Sequence, residues 1–441
     1  MFPDEGSSSS VTSSFPLQAF QMTAATPPDP WPKELKSEER GLYLIHLLLT
    51  CAGHVAAGSL ESANAVLDQI SDLASPCGDT MQRIACYFAG ALADRVLRQL
   101  PGVYRALRAT DLVSPAECFL ARKVFDEWFP FSKVSFLVAN QAILEAMEGE
   151  KMVHIIDFNT ADPAPWRAIL RDFSTRPEGP PHLRLTGVHP VRDVVEQTGR
   201  VLVDEAEKLD IPFQFNYIVT KFENLDLDRV RIKTGEALVI SSVLQFHTLL
   251  APHENIIPSN QATLGESTEK DSENSTSSAL IFSPTNEIEP FLNYLSGLSP
   301  KVMVVTEQEN DHNGPNLMER LSESLYFYAT LFDCVESTLP RSSLDRARLE
   351  NRVLGEEIKN IIAEEGVERK ERHEKLPKWF GRFGSIGFYN VPLSYYAMTR
   401  GKRFLESFGC DGYKMKEENG CAVMCWHDRP LYSVSAWRCG R

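Results

Sequence analysis

From Ser37 to Gly149, apolar residues return every three or four positions, which predicts helices throughout. Ser37 is placed to cap the first helix, with Glu38 and Glu39 in its first turn against the helix dipole. One stripe on that helix runs Leu42, Ile45, Leu49, Ala52, Ala56, and a second runs Leu44, Leu47, Leu48, Cys51, Val55. Two stripes exceed what one core contact requires, so either the helix is buried all round or one stripe meets a partner. Ser59 and Asp79 are candidate caps for the next two helices. The "LIHLL" stretch spells a coactivator-type leucine motif, but chance explains it in so leucine-rich a segment.

After Lys151 the period changes. Near-continuous apolar runs at 152–158, 182–188, 213–219, 236–246 and 301–307 read as strands, with helical segments such as 163–174 and 191–209 between them. That alternation predicts a mostly parallel sheet with helices on both faces. The C-terminal stretch 413–438 reads instead as antiparallel strands, with turns at Glu418–Gly420 and His427–Pro430. On strand parity, Trp426 and Trp437 should share one face, anchoring the hairpin to the core or offering an aromatic contact. The expected fold is therefore α/β: a Rossmann-like, methyltransferase-type sheet with a C-terminal antiparallel hairpin, beneath an α-helical cap. Expected boundaries are a disordered 1–36, a helical cap over 37–150 and the Rossmann-like core over 151–441. Within the core, 251–280 ("ESTEKDSENSTSS" at its heart) should be a disordered insertion and 341–378 a helical excursion towards the cap.

Composition narrows the function. The 441 residues carry a formal charge of −15, which argues against autonomous phosphate-gripping of nucleic acid. Nine cysteines follow no repeated spacing and read as reduced core residues. Residues 1–20 hold no basic start followed by an apolar run, so no secretory signal is expected, and "GLYLIHLLLTCAGHVAAG" is too interrupted for a membrane span.

The stretch "VHIIDFNTADPAPW", residues 153–166, resembles a first strand handing over to its helix at a cofactor loop, yet that loop has no glycine and two prolines. Asp162 should cap the helix behind it, and both prolines lack the N–H that would greet an anion. The second strand ends at Val188–His189 without the carboxylate that usually binds ribose hydroxyls. A lost cofactor site follows, with no catalytic, cofactor-binding or metal-binding residues expected. Asp157, His189, His247 and Glu307 do fall at strand ends, where a pocket would form, but strand ends are also simply where chains meet water. "TEQENDHNG", 306–314, reads as a solvated loop. Cys421 and Cys425 lie about 13 Å apart on a strand, too far to share one zinc with His427. In 341–378, an apolar side (Val353, Leu354, Ile358, Ile361, Ile362) should dock the segment. Arg369, Arg372 and Glu374 are then placed for charge-assisted bonds to neighbours or a partner.

With these segments in place, the chain resembles the plant GRAS family, and its scarecrow-like members in particular. The resemblance covers about Leu35 to Arg441. A leucine-rich region (41–100) precedes an intact VHIID signature at Val153, His154, Ile155, Ile156 and Asp157. A second leucine-rich region (about 191–225) and a segment like the family's PFYRE region follow, although those five letters are not spelled out. The SAW motif closes the chain at Ser435, Ala436 and Trp437, and Trp426 and Trp437 enclose the family's ten residues. No DELLA-like regulatory sequence occurs in 1–36, so the resemblance is not to the gibberellin-degraded repressors themselves.

The resemblance implies a nuclear, and in part cytoplasmic, transcriptional coregulator without catalysis or cofactor. It would pair with GRAS proteins, DELLA repressors included, as homo- or heterodimers through cap residues Leu42, Leu44, Ile45, Leu47, Leu48 and Leu49. It would reach DNA through zinc-finger partners of the INDETERMINATE DOMAIN class, in gibberellin signalling and root development. The alternatives are a degenerate methyltransferase-like binder of a small molecule, or a factor that binds DNA directly.

Overall fold

Apolar faces at helical spacing fold the described part of the first third of the chain into six helices. They are α1 (Ser37–Ala56), α2 (Leu60–Leu73), α3 (Thr80–Arg98), α4 (Pro101–Arg108), α5 (Pro115–Trp128) and α6 (Phe131–Ala146). The computed structural model describes residues 36–109, 115–252 and 288–440; the expected disordered segments 1–36 and 251–280 thus lie almost wholly outside the described residues. Lys36, not Ser37, precedes α1, and the Ser37 hydroxyl instead donates to Asp79 Oδ2 at 2.8 Å. Asp79 caps α3 as its sequence suggests, accepting from the Gln82 amide at 3.0 Å. Ser59 precedes α2 without a side-chain cap bond.

The alternating region forms β1 (Met152–Asp157), α7 (Ala164–Ser174), β2 (His182–His189), α8 (Arg192–Lys208), β3 (Phe213–Val219), β4 (Ala237–Val243), α9 (Ile288–Gly297) and β5 (Val302–Gln308). An excursion follows: α10 (Leu317–Thr338), α11 (Leu344–Leu349), a π-helical turn over Glu350–Gly355 and α12 (Glu356–Ala363). The chain then returns through α13 (Leu376–Ser385), β6 (Phe388–Asn390) and α14 (Tyr395–Ser407) to β7 (Tyr413–Glu418), β8 (Cys421–Trp426) and β9 (Arg429–Cys439).

The nine strands among the described residues join one sheet in the order β3-β2-β1-β4-β5-β9-β8-β7, with β6 pairing β9 off this path. The first five are parallel, and β9 enters antiparallel to β5. The chain reverses direction along the sheet between β1 and β4, the switch point at which Rossmann-type sheets open a ligand crevice. Asn419 and Gly420 both have positive φ (51° and 76°), making the tight β7–β8 turn that an Asn-Gly pair favours.

One sheet face, carrying Val153, Ile155, Leu185 and Val304, shares a continuous apolar core with α6, α7 and the cap helices. The other, carrying Ile156, Ile240 and Val305, is covered by α9 and α13. Trp426 belongs to the first core and Trp437 to the second, so the two tryptophans do not share a face. The cause is a β-bulge. Cys425 faces Pro430 but Met424 faces Tyr432, so Leu431 is an extra residue and reverses the parity of everything beyond it.

The cap interlocks with the excursion through ions. Glu350 accepts from Arg83 of α3 (3.2 Å) and Arg346 of α11 (2.9 Å), and all three side chains are buried. Glu336 of α10 pairs with the same two arginines and with Arg341.

Candidate functional site

Five parallel strands and a switch point put the expected ligand crevice at the end of β1, and the local chain fills it. Phe158 N donates to Ser241 O (3.0 Å), Asn159 N to Asp157 Oδ1 (3.3 Å), Thr160 N to Val188 O (3.0 Å) and Ala161 N to Asn159 O (3.0 Å). Asp162 takes the Ala164 amide at 2.9 Å, and Pro163 and Pro165 have none to give. A turn that would cradle a phosphate or a cofactor carboxyl needs free amides. Those of Phe158 to Ala161 and of Ala164 are spent on the chain itself.

Thr160 lies over β2: a Cβ built on Gly187 would stand 2.7 Å from its Oγ1, so the loop packs down only because residue 187 has no side chain. Asp157 is buried and turned to structure, accepting from Thr160 Oγ1 (2.8 Å) and Trp166 Nε1 (2.9 Å). Burial raises its pKa, against the pull of those donors.

The rest of the VHIID segment is interior. Val153, Ile155 and Ile156 are core, and His154 is enclosed with Nε2 at 2.8 Å from Thr186 Oγ1 and Nδ1 at 3.0 Å from Arg184 Nη2.

Of the four strand-end residues, His189 takes the Val191 amide on its Nδ1 (3.1 Å) and Asp157 bonds within its own loop, whereas His247 and Glu307 meet. Leu244, at φ 54°, ends β4 earlier than the apolar run to Phe246 suggests. The chain swings into a 3-10 turn, and Phe246 N and His247 Nδ1 both reach Glu307, each at 2.9 Å. Glu371 and His373, from the segment leading into α13, close the group: His247 Nε2 lies 3.4 Å and His373 Nε2 2.9 Å from Glu371 Oε2. The imidazoles of His247 and His373 are 3.8 Å apart, centre to centre. Burial opposes charge on His247, but Glu307 and Glu371 carry its pKa up to about 10. Burial likewise opposes charge on Glu307, and His247 holds it down to about 2.

The "TEQENDHNG" segment is not a solvated loop. Glu307, Gln308, Asn310 and His312 are buried, because residues 369–376 lie across them. His312 N donates to His373 O (2.9 Å), and Glu309 accepts from Leu376 N (2.9 Å). The three charged-junction residues make this cover. Arg369 donates to His312 O (2.9 Å), Arg372 to Asn313 Oδ1 (3.0 Å), and Glu374 pairs with Arg382 (2.6 Å). All three are buried and bonded inside the molecule rather than presented to a partner.

On α1, Leu44, Leu47 and Leu48 are core, covered within the cap, so they are not partner contacts in this conformation. Leu42, 66% exposed, and the half-buried Ile45 and Leu49 form the accessible edge. Trp426 donates to Asp333 Oδ2 (2.7 Å), while Trp437 donates to Ser435 Oγ (2.8 Å) and packs on Phe380 and Phe383. Ser435 and Ala436 are buried in β9 against β5. The SAW motif and its paired tryptophan thus fasten the hairpin to the rest.

The GRAS domain family model matches residues 44–438. The chain belongs to the GRAS family. It is 54% identical to "Scarecrow-like protein 3" of Arabidopsis thaliana, over 100% of this chain and 99% of that protein. "GRAS family protein TF80" of Medicago truncatula is 43% identical, covering 92% and 98%. "DELLA protein GAI1" of Vitis vinifera is 34% identical over 91% of this chain, which spans 62% of that longer protein. The crystal structure of SCL7 from Oryza sativa superposes with a TM-score of 0.72 at 28% identity, covering 90% of this chain and 99% of that one. Family and fold together make this GRAS chain a transcriptional regulator, on a Rossmann-like frame with a C-terminal antiparallel hairpin. No described helix is long and apolar enough to cross a membrane.

Proposed function

We propose that this GRAS protein regulates transcription without catalysis, as a scaffold that pairs with other GRAS proteins, DELLA repressors among them, and with zinc-finger factors of the INDETERMINATE DOMAIN class. It works in the nucleus, with a share in the cytoplasm, in gibberellin signalling and root development, and meets DNA mainly through those partners. The observation that carries the reading is the turn after β1, whose amides from Phe158 to Ala161 are taken by the chain where a cofactor would be held. A net charge of −15 supports partner-mediated rather than direct contact with DNA. Likeness to Scarecrow-like protein 3 and to DELLA proteins supports the choice of pathway and partners.

Pairing is assigned to the open edge of α1. Leu42→Asp should weaken binding to a DELLA-type GRAS protein at least about tenfold, a loss of ~1.4 kcal/mol, while the melting temperature stays near that of the wild type. Leu44→Asp puts a charge in the core and should unfold the cap. A folded Leu42→Asp chain that binds its partner as the wild type does would remove the assignment.

A further inference from the structure

The group beneath residues 369–376 has a geometry that ion pairing alone does not explain. Donor atoms of His247, Glu371 and His373 all lie within 4.8 Å of one another. Both Nε2 atoms converge on Glu371 Oε2, at 3.4 and 2.9 Å. Around a tetrahedral zinc with Zn–N bonds of about 2.0–2.1 Å, ligand atoms stand roughly 3.3 Å apart, so little movement is needed to admit an ion. Behind the rings, Glu307 Oε2 faces both Nδ1 atoms, at 2.9 Å from His247 and 3.7 Å from His373. A carboxylate on the far nitrogen is how metal-binding imidazoles are held in orientation and tautomer.

Metal-free, the arrangement leaves a fault. His373 Nδ1 is buried and has no hydrogen-bond partner. The two imidazole rings lie 3.8 Å apart, centre to centre, with Glu371 on the Nε2 side and Glu307 on the Nδ1 side. With a divalent ion in place, His373 Nδ1 gains a partner. Two neutral histidines would each direct Nδ1–H at Glu307 and Nε2 at the metal, and the charge of the ion would cancel those of Glu307 and Glu371. His312 faces His373 at 5.6 Å but is not one of the residues whose donor atoms converge, so it stands outside the ligand set. Glu371, whose side chain is 25% exposed, forms the one edge of the trio reached by water and gives an ion its way in.

We propose that His247, His373 and Glu371 bind a divalent cation of the zinc class, with Glu307 as the positioning carboxylate. The ion ties the ends of β4 and β5 to the segment ahead of α13, a structural role.

The full chain, stripped with chelator, is titrated with Co²⁺ and then Zn²⁺ while visible absorption and melting temperature are followed. One equivalent should bind, with a nitrogen- and oxygen-ligated cobalt spectrum and a higher melting temperature. Glu371→Gln, conservative and at the solvent edge, should keep its circular dichroism and lose stoichiometric binding. Glu307→Gln should weaken binding about 10–100-fold. Sulfur-to-cobalt charge transfer would put the ion on a cysteine such as the exposed Cys77 and overturn the assignment. So would unchanged binding by a folded Glu371→Gln chain. Should the variants unfold, the wild-type titration decides: no stoichiometric uptake and no thermal shift refutes the site.

Discussion

His154 sits in the middle of β1 with no exposure, and its neighbours dictate its protonation. A guanidinium can only donate, so the 3.0 Å contact from Arg184 makes Nδ1 an acceptor and leaves the proton on Nε2, facing Thr186. Burial and then Arg184 lower its pKa to about 4. The unfolded chain takes up a proton near pH 6.5, which the folded chain refuses until about 4. This contribution to stability is complete above pH 6.5 and is lost as pH falls towards 4. Between pH 7.5 and 5 the loss should be roughly 2 kcal/mol, at 1.36 kcal/mol per unit. Urea denaturation at the two pH values should show a drop that is smaller in His154→Gln by about that amount; equal drops would mean that His154 does not carry it. The alternation of "VHIID" marks an interior strand from sequence alone. The bond from Arg184 could not be read there, because it depends on the register between β1 and β2.

Element boundaries followed period closely where period was strong, with β3 and α7 falling within a residue of the apolar pattern. They departed where a single backbone angle intervened. Leu244 ends β4 at Val243, and the extra Leu431 turns Trp437 to the opposite face. No hydrophobic pattern announces a bulge, since the residues on either side of it are apolar too. The apolar side of 341–378, Val353, Leu354, Ile358, Ile361 and Ile362, is buried. The segment's hold on the cap is both apolar and ionic. Glu350 of the π-helical turn pairs with Arg83 and Arg346 where all three are out of water, and Glu336 supplies the second carboxylate. Glu350→Ala would leave two buried guanidinium groups sharing the one carboxylate of Glu336 and should cost about 3–5 kcal/mol, measured by chemical denaturation. A loss under 1 kcal/mol would show that Glu336 alone can hold both arginines.

Across the whole molecule, the turn at the switch point of the Rossmann-like sheet gives its amides from Phe158 to Ala161 to the chain itself. The two prolines and missing glycines of 158–166 are legible in the sequence. The packing of Thr160 on Gly187 requires the fold, as does the union of His247 and Glu307 with Glu371 and His373 from a distant part of the chain. Spacing rules find ligands that share one helix or loop, and here one strand end and a covering segment would supply them. The most direct measurement of the central claim is calorimetric titration of the full chain with S-adenosylmethionine. Closure of the β1 turn predicts no saturable heat. Saturable micromolar binding that Thr160 or Asp157 substitutions abolish would contradict it.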